Sequence, residues 1–140
     1  ELGDSGHVFD ALAGLGWAQL LAGQYAESAG TYLEALPLAV ESDDVLQIEW
    51  CIRAAAAIAA ARGTELERAT RLFSASEAMR EATGIDLRVG IGETLDQLMD
   101  AVRQHLGRER FTRGWQAGQR MTRDQALDEA RLVFEKASVR

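Results

Sequence analysis

The chain has 140 residues, with 47% hydrophobic and 26% charged side chains and a single proline. That is enough for one domain with its own core, and no apolar run reaches the length of a membrane span, the longest being the alanine-rich 54–61 between Arg53 and Arg62. The net charge of −7 is unevenly spread: residues 1–100 carry 17 acidic and 6 basic side chains, residues 101–140 carry 5 and 9, an acidic body with a basic end.

Several broad classes fall away at once. The first ten residues hold no basic region leading into an apolar one, so no signal peptide is expected. Cys51 is the one cysteine, so there is no internal disulfide framework and a reducing, cytoplasmic setting is expected. Lys136 is the only lysine beside abundant Arg and Ala, the codon bias of a GC-rich bacterial genome. The chain begins at Glu1 rather than Met, as expected of a fragment of a larger protein.

Strong helix formers dominate and β-branched alternation is missing, so the expected class is all-α, with about seven helices. Helices are predicted at 5–22, 25–41, 44–62, 65–83, 93–107, 109–119 and 123–138. Gly23 and Gly63 punctuate the first two helix pairs, whose short links predict antiparallel hairpins. Ser42 with Asp43 and Asp44 supplies a cap and negative charge for the third helix. Thr64-x-x-Glu67 and Thr122-x-x-Gln125 read as capping boxes, and Gly84 and Gly107 as helix stops. The segment 84–92 is the one longer irregular link. Asp96 and Asp100 share a helix face without a partner cation in view, and read as solvated.

Residues 12–36 and 52–79 align with Gly23 and Gly63 as their turns, so the chain is expected to repeat. Leu15-Gly16, Gly23, Tyr25, Tyr32 and Ala35-Leu36 resemble the tetratricopeptide repeat (TPR), with departures at Ser28 and Pro37. The second copy is degenerate: an extra residue follows its turn, and its large first-helix positions are alanines. The architecture expected is antiparallel helix pairs stacked as a TPR-like α-solenoid. One domain spans 1–140, with two TPR-like pairs in 1–84 and C-terminal helices in 85–140.

A second resemblance covers 67–84 and 106–130. Ala69, Leu72, Ala75, Glu77, Ala78 and Arg80 through Gly84, followed by Leu106, Gly107, Phe111, Trp115, Gly118, Thr122 and Ala126, are similar to the C-terminal helical region of large ATPase-containing bacterial regulators of the LuxR and antibiotic-regulator types. The link 85–92 departs from that pattern. The resemblance implies a cytoplasmic helical-repeat segment that senses a ligand or partner and mediates assembly, with a nucleotide-binding module upstream and often a helix-turn-helix downstream.

No catalytic residue, cofactor site or metal site is read in the sequence. His7 and His105 stand far apart, no nucleophile elbow or P-loop occurs, and no His pair has metal-ligand spacing. Gly90-Ile91-Gly92 reads as a link rather than a phosphate cradle, and Cys51 as an inert, partly buried thiol. Repeat solenoids present a concave surface lined by first helices. The register puts Asp10, Ala13, Trp17 and Leu20 on that face in the first pair, and Trp50, Arg53, Ala57 and Ala60 in the second. Asp10, Trp17, Trp50 and Arg53 are the candidate ligand- or partner-binding residues, since Trp and Arg are favoured anchors. The alternative is that the tryptophans pack against a neighbouring helix.

The Arg-rich segment 103–123 interleaves arginines with Phe111 and Trp115 and raises nucleic-acid contact as the second reading. Phe111, Trp115 and Gly118 recur at i, i+4 and i+7, which predicts one buried face with Arg110, Arg113 and Gln116 solvated. The preferred partners are therefore a protein or other domains of the same chain, with a peptide or small ligand as a further possibility, and neither membrane nor nucleic acid. The open ends of a short solenoid predict self-association of the isolated domain.

Overall fold

The computed structural model describes residues 2–84 and 91–139, excepting the side chains of 2–5. Among them are seven helices and no strand: α1 Leu2–Leu21, α2 Tyr25–Ser42, α3 Val45–Arg62, α4 Leu66–Thr83, α5 Gly92–Leu106, α6 Arg108–Gln119 and α7 Arg123–Ser138. All seven predicted helices are present, within three residues at each end. The link 85–90, including Gly90 of the glycine pair, lies outside the described residues.

The helix ends follow from local chemistry. Asp44 caps α3, its carboxylate accepting from the Leu46 and Gln47 amides. Ser42 belongs to the end of α2, where its hydroxyl donates to the Ala39 carbonyl. Thr122 and Gln125 form the predicted reciprocal capping box on α7. The Thr64 box does not form. Gly63 and Glu65 both take left-handed backbone angles, so α4 begins one residue late and Glu65, not Thr64, holds the cap position without a side-chain cap bond. The Glu65 carboxylate instead pairs with Arg68 and, at 3.0 Å, with Lys136 of α7.

α1 folds back on α2 and α3 on α4, and α3 packs against α2. The first hairpin closes most tightly at Gly16. A Cβ there would stand 2.5 Å from the Tyr32 ring. The glycine lets Tyr32 lie flat across α1, where its hydroxyl donates to the Ala13 carbonyl at 2.8 Å and Ser28 Oγ donates to the Gly16 carbonyl at 2.7 Å. In the second hairpin, alanines from 54 to 59 with Ile52 and Ile58 fill the space with scarcely any exposure.

α6 packs along α4, with α5 beside both. The close approach is at Gly118, where a Cβ would fall 2.3 Å from the Arg71 carbonyl oxygen, and Ser74 Oγ donates to the Trp115 carbonyl at 2.6 Å. The predicted aromatic face is thereby corrected. Gly118 is buried, but Phe111 and Trp115 are half-buried, stacked on each other with ring centroids 5.7 Å apart. Gly118 carries the closest approach of α6 to α4, while Trp115 packs on the margin of the core.

α7 returns across the molecule to pack on α2 and α3, with Phe134 stacked on Tyr32 at 5.4 Å. Val133, Phe134, Ala130 and Ala126 are buried there. The last helix thus covers an outer side of the two hairpins instead of extending the row.

Candidate functional site

The four candidate residues fall into two environments. Trp17, at 8% exposure, and Arg53, at 3%, belong to the interior, while Trp50 is half-buried and Asp10 exposed. Ala13, Leu20 and Ala57 from the same predicted face are also core. The structure does bring Trp17, Trp50 and Arg53 together. The indole rings of Trp17 and Trp50 meet edge to face at 6.1 Å, and the Arg53 guanidinium lies 4.6 Å from the Trp50 ring centre. Trp50 Nε1 donates to the Tyr32 hydroxyl at 3.1 Å. Trp50 is therefore held by an indole edge, a cation and a hydrogen bond, and the last of these runs through Tyr32 to the Gly16 crossing.

The remaining edge of Trp50 enters a groove of about 300 Å³ between the start of α1 and the start of α3. Phe9, Asp10, Asp44 and Gln47 line it as well. Its polar rim is acidic, from Asp10 on α1 and the capping carboxylate of α3.

Behind Trp50 lies a charge cluster that sequence reasoning missed. Glu49 is 1% exposed and its carboxylate meets Arg53 at 3.5 Å. Neither Glu49 oxygen has a hydrogen-bond donor. Burial pushes the Glu49 carboxyl up to about 7, against the pull of Arg53 and Arg80. Glu77 and Arg80 of α4, paired with each other, complete the cluster. The only signal in the sequence is Glu49-x-x-x-Arg53 at i, i+4, a spacing that usually marks a solvated pair. Cys51 is fully rather than partly buried, and burial pushes its thiol up to about 12, away from the thiolate form that reacts. Burial also raises the Tyr32 hydroxyl well above its ordinary value.

A second groove, of about 560 Å³, was not anticipated. Met99 and Arg103 of α5 face Phe111, Trp115 and Gln119 of α6 across it. The Arg103 guanidinium sits 4.8 Å from the Phe111 ring centre and pairs with Asp100, which is thus not simply solvated. A third, of about 650 Å³, runs between α4, α6 and α7 and is lined by Met79, Met121 and alanines. His7 and His105 are exposed, and His105 Nδ1 contacts the Ala101 carbonyl of its own helix. Among the described residues no three His, Cys, Asp or Glu side chains gather as metal ligands, and no helix is long and apolar enough to cross a membrane.

Of the arginines in 103–123, Arg110 pairs with Glu67, Arg123 with Asp43 and Arg103 with Asp100. Arg108, Arg113 and Arg120 stand exposed. Comparison of the chain with family models, curated proteins and solved structures found no match.

Proposed function

We propose that the chain is a non-catalytic, TPR-like interaction module of a cytoplasmic bacterial transcriptional regulator. It recognises a protein segment or small ligand and so biases modules elsewhere in the regulator. The observation that carries this reading is the fixed Trp50. Its ring is immobilised by Trp17, Arg53 and Tyr32 while one edge stays open to a groove rimmed by Asp10. An anchor ordered before binding loses little side-chain entropy when the partner arrives. The helix-pair order and the Gly16–Tyr32 crossing support the TPR resemblance, because they put a small residue against a ring where two helices meet.

The Arg-rich segment supports nucleic-acid contact less well. Three of its arginines pair with carboxylates, and its two aromatics stack on each other, with Arg103 over the Phe111 ring, instead of standing open to bases.

Two measurements test the proposal. A peptide array probed with the protein should yield binders that are lost in both Trp50→Ala and Asp10→Lys. Binders insensitive to both changes would remove the groove. The regulator assignment is tested by the complete reading frame, which should encode a nucleotide-binding module upstream or a helix-turn-helix downstream; a frame with neither would refute it.

A further inference from the structure

The solvent side of α1 has the wrong chemistry for a free surface. From Val8 to Ala22 the helix and its end carry one charged side chain, Asp10. Val8 is 49% exposed, Leu15 50% and Leu21 61%. Ala11, Gly14, Ala18 and Ala22 are exposed between them. Val8, Ala11, Leu15, Ala18 and Ala22 recur at alternating spacings of three and four, which makes them one continuous stripe. A helix facing water normally turns a polar stripe outward, and a helix apolar on both sides is normally covered on both. Nothing lies within 4 Å of a Cβ built on Gly14, so a second helix has room to come close.

Beside that stripe runs a row of carboxylates. Glu27, Glu34 and Glu41 follow one another at seven-residue intervals along α2, and Glu34 and Glu41 are exposed. The two rows are joined side by side. Thr31, one turn from both Glu27 and Glu34, donates to Gln19 Oε1 at 2.7 Å, and Gln19 is one turn from Leu15. The first Lys or Arg of the sequence is Arg53, so this hairpin supplies no basic side chain to Glu34 or Glu41.

We infer that the exposed face of the α1–α2 hairpin docks an amphipathic helix from outside these 140 residues, with an apolar stripe bordered by lysine or arginine. The apolar stripe would lie on Val8, Leu15 and the small residues between, and the basic border would reach Glu34 and Glu41. A second copy of the chain fits less well. A two-fold pairing through this face would bring two acid rows together with no Lys or Arg on either hairpin to answer them. The open end still predicts an occupant, but its charge points away from self-association. This surface is separate from the Trp50 groove and does not depend on it.

The probe is a fluorescent helical peptide of about twenty residues, long enough to form a helix on contact, with leucine and alanine on one face and lysine elsewhere. Its companion carries glutamate in place of lysine. Anisotropy with the full 140-residue chain should show saturable binding of the lysine peptide and at least about tenfold weaker binding of the glutamate one. Glu34→Lys with Glu41→Lys should weaken the lysine peptide about tenfold. So should Val8→Ser with Leu15→Ser, at exposed positions where circular dichroism should show an unchanged fold. Asp128→Lys with Glu135→Lys, exposed on α7, should leave binding unchanged. Binding that follows net charge at α7 as much as at α2, binding indifferent to Leu15, or no binding of the lysine peptide would each overturn the inference. So would a dimer in sedimentation velocity that Leu15→Ser dissolves, because a second copy would then hold the face.

Discussion

Gly16→Ala sets two ordinary effects against each other, and the structure says which should win. Replacing a mid-helix glycine by alanine normally stabilises by about 1 kcal/mol. Here the added Cβ would stand 2.5 Å from Tyr32 Cε2. The ring cannot retreat, because Phe134 is stacked on its other side and Tyr32 is fully buried. Overpacking of a filled core costs about 1–3 kcal/mol. Displacing the ring also loosens two hydrogen bonds, a buried one to the Ala13 carbonyl and a partly buried one from Trp50 Nε1, each worth about 1 kcal/mol. The net expectation is a destabilisation of about 2–4 kcal/mol, or a fall in Tm of about 10 °C for a domain of this size. Urea unfolding followed by circular dichroism measures it. Tyr32→Leu in the same background should recover part of the loss, with a coupling of at least about 1 kcal/mol in the double-mutant cycle. A Gly16→Ala protein as stable as the parent would refute the crossing geometry, and with it the route by which α1 positions Trp50.

Other expectations follow from the same interior. Gly118→Ala meets a carbonyl oxygen rather than a movable side chain, so it should cost about 3 kcal/mol or more and separate α6 from α4, read as lost amide protection in α6. Glu49 holds its proton in the fold up to about pH 7 but releases it near its ordinary 4.5 when unfolded; stability should therefore fall as pH rises through that window and level off above it. Glu49→Gln should flatten the profile, and two parallel pH curves from urea titrations would contradict the assignment. Cys51 should react with a thiol reagent only as fast as the protein unfolds, and a fast native-state reaction would show that its burial is wrong. Thr122→Ala removes one half of the capping box on α7 and should cost about 1 kcal/mol.

Helix identity was legible because it is written locally: glycines in the left-handed conformation at 23, 63 and 84, the Asp44 cap, and the Thr122 box. Where local signals competed, reading failed. Thr64 and Glu65 are both plausible starts after Gly63, and the cap falls to Glu65, whose carboxylate pairs with Arg68 and Lys136, the second seventy-one residues away in sequence. The Phe111–Trp115–Gly118 stripe was legible as a stripe, but not which end of it would be buried. That depended on whether rings or bare backbone faced Arg71 and Ser74. At the candidate site, Trp17 and Trp50 could be placed near each other by repeat register. Their unequal burial, and the carboxylate hidden behind Arg53, depend on packing between helices, to which periodicity is blind.

The return of α7 has a consequence for how the molecule comes apart. An array of helix pairs in which each touches only its neighbours can fray from either end, one unit at a time. Here Phe134 rests on Tyr32 of the first pair, and Lys136 reaches Glu65 at the turn of the second. A clasp between distant parts of the chain makes loss of either hairpin expose the underside of the same helix. The molecule should then open in a single cooperative event, and during synthesis the Tyr32 shelf must wait bare until the final helix leaves the ribosome.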